Sequence, residues 1–153
     1  MQAACCLKQP LTHMKTIIGL DPGASTGVAV YIGGKLEKLA TVEPWRIPEV
    51  IQAHGASRVV FEDSRLTSFM FTTAPSRAAA LKMARNVGEI DAWSKLICAV
   101  CEQLKIPAHG ISPKQKGAKL DAKAFERLTG WTGPSNEHTR DAAAVAWPYR
   151  SAA

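Results

Sequence analysis

The sequence predicts an α/β fold, a mixed five-stranded sheet flanked by helices, and three observations predict it. Two apolar runs joined by a glycine-bearing turn, IIGLDPGASTGVAVY at 17–31, read as an antiparallel pair; a loosely alternating third run, 35–42, follows across Gly33-Gly34. Two later short apolar runs, 58–61 and 107–112, each follow a helical pattern, the order that feeds parallel strands. The last third of the chain carries two shorter helical segments.

Taken in order, residues 1–14 read as a poorly patterned N-terminal extension, with Met14 standing just before the first strand as a candidate start, and 15–150 as one folded domain. Ile17, Ile18 and Leu20 suit a buried strand that stops at Asp21, where Pro22-Gly23 turns the chain. Gly27 opens the return strand, 28–32. Pro48 opens a short helix to about residue 54, and 58–61 is a buried parallel strand ending in Glu62-Asp63. Residues 64–75 are loop-like and carry Phe69, Met70 and Phe71. Ala80, Ala84, Val87, Trp93, Ile97, Val100 and Leu104 mark one long helix, 76–104, in which Gly88 hints at close packing. A fifth strand spans 107–112, a basic loop 113–119, and a helix 120–128 closed by Gly130. The last helix, 136–147, is stopped by Pro148.

Composition narrows the class. The 153 residues suffice for one domain with a genuine core. Nineteen Lys and Arg against 13 Asp and Glu give a net charge of +6, which suits a polyanionic partner such as nucleic acid. No run is long and apolar enough for a membrane span, so no membrane partner is expected. The cysteines are Cys5, Cys6, Cys98 and Cys101; without a signal-peptide pattern, a secreted disulfide framework is not expected and a cytoplasmic setting is. Cys98 and Cys101 have CxxC spacing inside a helical pattern, which reads better as two buried helix thiols than as a zinc site.

Carboxylates stand at three element ends: Asp21 after the first strand, Glu62 or its neighbour Asp63 after the fourth, and Asp141 on the last helix. His138 lies three residues before Asp141 and so shares its helix face. Each has a plain alternative as a turn former, a surface charge or a helix-dipole partner. Together, Asp21, Glu62, His138 and Asp141 offer hard oxygen donors and one imidazole, a set suited to Mg²⁺ with Mn²⁺ as substitute. Two such ions roughly 3.5–4 Å apart would clamp the attacking and departing oxygens of a phosphodiester.

GLDPGASTG, the strand VVFED, the basic segment ISPKQKGAK and the closing NEHTRDAAAVA resemble, in this order, the RuvC family of Holliday junction resolvases within the ribonuclease H-like superfamily. The likeness runs over most of 15–147. It implies a ribonuclease H-like nuclease domain at 15–150, and it maps the family's first-strand Asp, strand-four Glu and closing H-x-x-D onto Asp21, Glu62, His138 and Asp141. It further implies a Mg²⁺-dependent homodimer that nicks four-way DNA junctions symmetrically in recombination and repair; the 76–104 helix is the candidate for part of the dimer surface, with packing on its own core as the alternative. Lys114, Lys116 and Lys119 fall where the family places lysines near the scissile phosphate; Lys119 matches best and is taken as the catalytic one, with a solvated basic loop as the alternative. Phe69 and Phe71 fall in the region of the family's base-probing aromatic, although further from Glu62 than its pattern has it; they either stack on DNA bases or face the core. The compact length and the TGWTGPSNEHTRDAA stretch resemble a phage or prophage-type branch more than a standard bacterial member, which implies a bacterial or phage-infected cell.

Three other readings compete. A broader nuclease of forks and flaps would use the same acidic residues. A catalytically inactive DNA-binding module would have no need of them. DPGASTG also resembles the phosphate loop of actin-like ATPases and sugar kinases, but those need two lobes and a second such loop.

Overall fold

Alternation along the strands decides what each face of the sheet carries. A computed structural model describes residues 14–67 and 74–151, in which β1 (Thr16–Asp21), β2 (Thr26–Ile32), β3 (Lys35–Val42), β4 (Arg58–Glu62) and β5 (Ala108–Ile111) form one sheet. Its order is β3-β2-β1-β4-β5; β1, β2 and β3 are antiparallel hairpin partners, and β1, β4 and β5 run parallel. This is the predicted mixed five-stranded sheet. Phe69 and Phe71, and with them the question of core or DNA, lie outside the described residues, as do Cys5 and Cys6.

One face buries Ile18, Leu20, Val28, Val30, Val59 and Phe61 under α1 (Ile47–Ala53) and the C-terminal half of α2 (Arg77–Leu104), through Ile51, Ile97 and Val100. The other buries Ile17, Ala29, Tyr31 and Val60 under α3 (Ala122–Thr129) and α4 (Glu137–Ala146). The side-chain period of two puts odd-numbered β1 residues and even-numbered β4 residues on the α4 face. Continued one step, the same parity sends Asp21 and Glu62 to that face as well.

Two strand glycines let α4 sit against the sheet. A Cβ on Gly19 would stand 2.1 Å from the Ala142 carbonyl oxygen, and one on Gly27 would stand 2.0 Å from that of His138. Gly27 therefore lies inside β2, which starts at Thr26, earlier than the sequence suggests. Ala142, Ala143 and Ala146, all fully buried, keep the helix side of this contact small, and the Tyr31 hydroxyl donates to the Ala143 carbonyl at 2.9 Å. Asn136 caps α4 by accepting from Thr139 N, and its amide donates to Thr41 Oγ1 on β3 at 2.9 Å. The helix thus begins at a fixed place beside the strand ends.

The long helix divides in two. From Trp93 onward it packs on the sheet, whereas its first half projects, with Leu81 58% and Met83 37% exposed. Gly88 lies in the projecting half, and a Cβ there would have nothing within 4 Å. The close packing expected at Gly88 is absent because its side of α2 faces open space, with no described atom within reach of a Cβ. Cys101 is buried in the core, where desolvation pushes its thiol up to about 11, and Cys98 is half-buried on the same helix. No described helix is long and apolar enough to cross a membrane.

Candidate metal centre

β1 and β4 are parallel neighbours whose last paired residues are Leu20 and Phe61, so Asp21 and Glu62 leave the sheet side by side. α4 crosses the same end and brings His138 and Asp141 over them. A cleft of about 420 Å³ is lined by Asp21, Glu62, His138, Asp141, Lys116 and Lys119, among others. The four residues expected to form a metal centre therefore share one cavity. Lys114 is exposed and lies outside its lining.

The cavity is electrostatically crowded. Desolvation raises the Asp21 carboxyl to about 6; the His138 side chain works against the rise, while nearby Glu62 and Asp141 add to it. His138 Nδ1 lies 3.2 Å from Asp21 Oδ2. The Lys116 ammonium stands between the other two carboxylates, ion-paired with Glu62 and 2.9 Å from Asp141 Oδ2. Burial disfavours the Lys116 charge, but Glu62 and Asp141 outweigh it and hold its pKa above the ordinary lysine value. Glu62 Oε2, the oxygen that meets the Lys116 ammonium, is buried from solvent.

Glu62 and Asp63 part company here. Asp63, one residue past β4, turns to the opposite face and accepts from Arg65 Nε at 2.8 Å and Arg65 Nη2 at 2.7 Å; it also accepts from Arg65 N, closing a short helical turn. Arg65 holds the Asp63 carboxyl below its ordinary range, and Arg65 Nη2 lies 3.4 Å from Cys98 Sγ on α2. Asp63 is thus a structural anchor, and Glu62 is the carboxylate that faces the cleft. Ser64 continues the anchoring by donating to Asp91 of α2 at 2.6 Å.

Two of the three lysines line the cleft, at different depths. Lys119, taken as the best match for a phosphate-contacting residue, stands exposed at the rim and pairs with Glu137. Lys116 is the one held inside. Between them the loop turns at Gly117, φ +85, and is then pinned where Arg140 Nε of α4 donates to the Leu120 carbonyl at 2.9 Å. Two participants escaped sequence reasoning. Glu137 shares the helix face of Asp141 at i, i+4, a signal that was present; Asp91 pairs across 27 residues with Ser64, which no local pattern announces.

Among the described residues no three His, Cys, Asp or Glu side chains stand as a ready-made metal cage. The donors nevertheless fit a hard divalent cation in kind: Asp21, Glu62, Asp141 and the His138 imidazole around one cleft, with Glu137 at its rim, one buried carboxyl oxygen met by an ammonium, and one carboxyl forced upward by burial and like charge.

No protein-family model and no curated protein matches the chain. Solved structures do. A Thermus thermophilus RuvC in complex with a Holliday junction substrate superimposes with a TM-score of 0.60 at 19% identity, covering 87% of this chain and 90% of that one. A second structure of Thermus thermophilus RuvC gives 0.58 at 18%, covering 86% and 91%. With its mixed five-stranded sheet and flanking helices, the chain has the ribonuclease H-like fold of these RuvC structures.

Proposed function

We propose that this chain is a metal-dependent endonuclease that hydrolyses phosphodiesters in four-way DNA junctions and acts as a homodimer in the cytoplasm of a bacterial or phage-infected cell. The observation that carries the reading is the gathering of Asp21, Glu62, His138 and Asp141 in one cleft at the end of β1 and β4, on a fold shared with a junction-bound RuvC. Asp21, Glu62, His138 and Asp141 are the residues that would hold Mg²⁺ or Mn²⁺. Such an ion, when bound, supplies Lewis-acid activation of water and neutralises phosphate charge.

The chain's own residues supply the rest. β1 and β4 fix two carboxylates on a rigid sheet edge, where their separation is set by the strand spacing rather than by a loop. The Asp21 carboxylate faces His138 and orients its ring. Lys119 at the rim and Lys114 beyond it present ammonium groups to a DNA backbone, and Lys116 lies within reach of a phosphate entering the cleft. The projecting half of α2, with Leu81 and Met83 exposed, is the surface offered to a second copy, whose two-fold symmetry would match that of a four-way junction.

The test mixes purified protein and Mg²⁺ with a labelled mobile junction, a matched linear duplex, a fork and a flap, with Asp21→Asn alongside. Paired symmetric nicks in the junction, absent in the variant while junction binding persists, are expected. Comparable cutting of forks and flaps would shift the reading to a general branched-DNA nuclease. Binding without cutting by the wild type would refute the enzyme.

A further inference from the structure

We propose that the Lys116 ammonium is a built-in counter-ion that holds Glu62 and Asp141 together in the metal-free protein and is displaced when a divalent cation enters, so that Lys116 sets the affinity of the cleft for metal. The inference rests on the metal-centre reading above and deepens it.

Three features of the chain support the exchange. The lysine sits between two of the carboxylates that a cation would need: it is ion-paired with Glu62 and 2.9 Å from Asp141 Oδ2, with 11% of its side chain exposed. A monovalent ammonium and a divalent ion cannot both occupy the gap between the same two carboxylates. The ammonium is therefore a competitor of fixed and very high local concentration.

Secondly, Glu62 Oε2 is buried and has the Lys116 ammonium against it, so that oxygen is shielded from water and depends on a cation. A divalent cation would meet the same oxygen with twice the charge. Finally, the side chain has somewhere to go. Lys116 is shared by the metal cleft and by a neighbouring cavity of about 240 Å³ lined by His109, Ile111, Gln115, Val145 and Tyr149 among others. Four flexible methylenes let the ammonium swing from one side to the other while the loop stays pinned at Leu120.

The device has a use in a nuclease. Without Lys116 the metal-free cleft would hold three carboxylates with no cation beside Glu62 and Asp141, and their repulsion would strain the strand ends. With it, the cleft is neutralised in part until the ion arrives. The released ammonium is then free beside a phosphate that the ion also attracts.

The experiment measures Mn²⁺ binding by electron paramagnetic resonance and titration calorimetry, without DNA, for wild type, Lys116→Met, Lys116→Arg and Asp141→Asn. Lys116→Met should bind Mn²⁺ about ten-fold more tightly, equivalent to about 1.4 kcal/mol of competition removed. It should also melt lower than wild type in EDTA and gain more on adding Mn²⁺. Lys116→Arg, which keeps the charge, should show no such tightening. A second readout uses the unaltered protein: acetylation of Lys116 by an activated ester, followed by mass spectrometry, should be slow in EDTA and faster with Mn²⁺. Unchanged or weaker Mn²⁺ binding by Lys116→Met, or a Lys116 labelling rate indifferent to metal, would overturn the exchange while leaving the metal centre standing. Equal Mn²⁺ binding by wild type and Asp141→Asn would instead remove the metal centre, and the exchange with it.

Discussion

Gly27→Ala tests whether the cleft depends on how closely α4 approaches the sheet. The added Cβ would stand 2.0 Å from the His138 carbonyl oxygen and 2.4 Å from its carbon. Ordinary contact begins at 3.4 Å, so strand and helix must part by about 1.4 Å. Both contacting atoms are backbone, which no rotamer change can move aside. Overpacking of this kind costs about 1–3 kcal/mol. For a chain of this size that corresponds to a fall in melting temperature of about 2–12 °C.

The functional loss should be larger in proportion. The first turn of α4 carries His138 and, one turn on, Asp141, and a misplacement of about 1 Å can cost roughly 100-fold in rate. Single-turnover cleavage of a labelled junction, thermal melting and junction binding would be measured together. The expected result is a modestly destabilised protein that still binds junctions and cuts them about 100-fold more slowly. Gly88→Ala is the control: its Cβ meets nothing, and in an exposed helix it should gain about 0.5–1 kcal/mol with cleavage unchanged. A Gly27→Ala protein with wild-type melting and wild-type rate would refute the idea that these glycines position the site.

Three further outcomes follow from the charges. In EDTA, Asp21 has a folded pKa of about 6 against an ordinary 3.8, so the folded state binds its proton more tightly; this contributes stability below about pH 4 that is lost as pH rises through 6. The difference is roughly 2–3 kcal/mol, and Asp21→Asn should flatten that part of the melting-temperature profile; a parallel profile would count against it. Asp63→Asn should lower stability by about 1–3 kcal/mol through loss of the Arg65 pair yet keep Mn²⁺ binding, whereas Glu62→Gln should weaken Mn²⁺ binding; calorimetry on both decides which carboxylate serves the cleft. Mn²⁺ should replace Mg²⁺ in cleavage while Ca²⁺, with its looser coordination, supports junction binding alone; efficient cutting in Ca²⁺ would tell against a Mg²⁺-type centre.

Most of the sheet was legible because its signals are local. Apolar runs of strand length, Gly33-Gly34 between them, and a helical period before each later strand fix type and order without reference to the rest of the chain. What escaped is what depends on a neighbour. Gly27 looked like the start of a strand because its reason lies 111 residues away, in the His138 carbonyl that passes over it. Gly88 looked packed because a helical glycine often is, but nothing in its own turn reveals that this half of α2 projects. The different depths of Lys116 and Lys119 in the cleft could not be read from spacing, since they depend on the turn at Gly117 and the tether from Arg140.

The choice between Glu62 and Asp63 is different, because the sequence contained the answer in a form that needed only the sheet to read it. Val59 and Phe61 fill the core beneath α2, and Val60 fills the one beneath α4. A carboxylate that meets α4 must therefore share the parity of Val60, and only Glu62 does. The same rule applied to β1 gives Asp21, on the side of Ile17 and Gly19. Asp63, out of phase, lands on the α2 side and would be a buried charge there, were it not for Arg65 two residues later. The adjacent acids are thus not redundant. One is directed to the cleft by strand parity, and the other holds the strand's end in place so that the first arrives there.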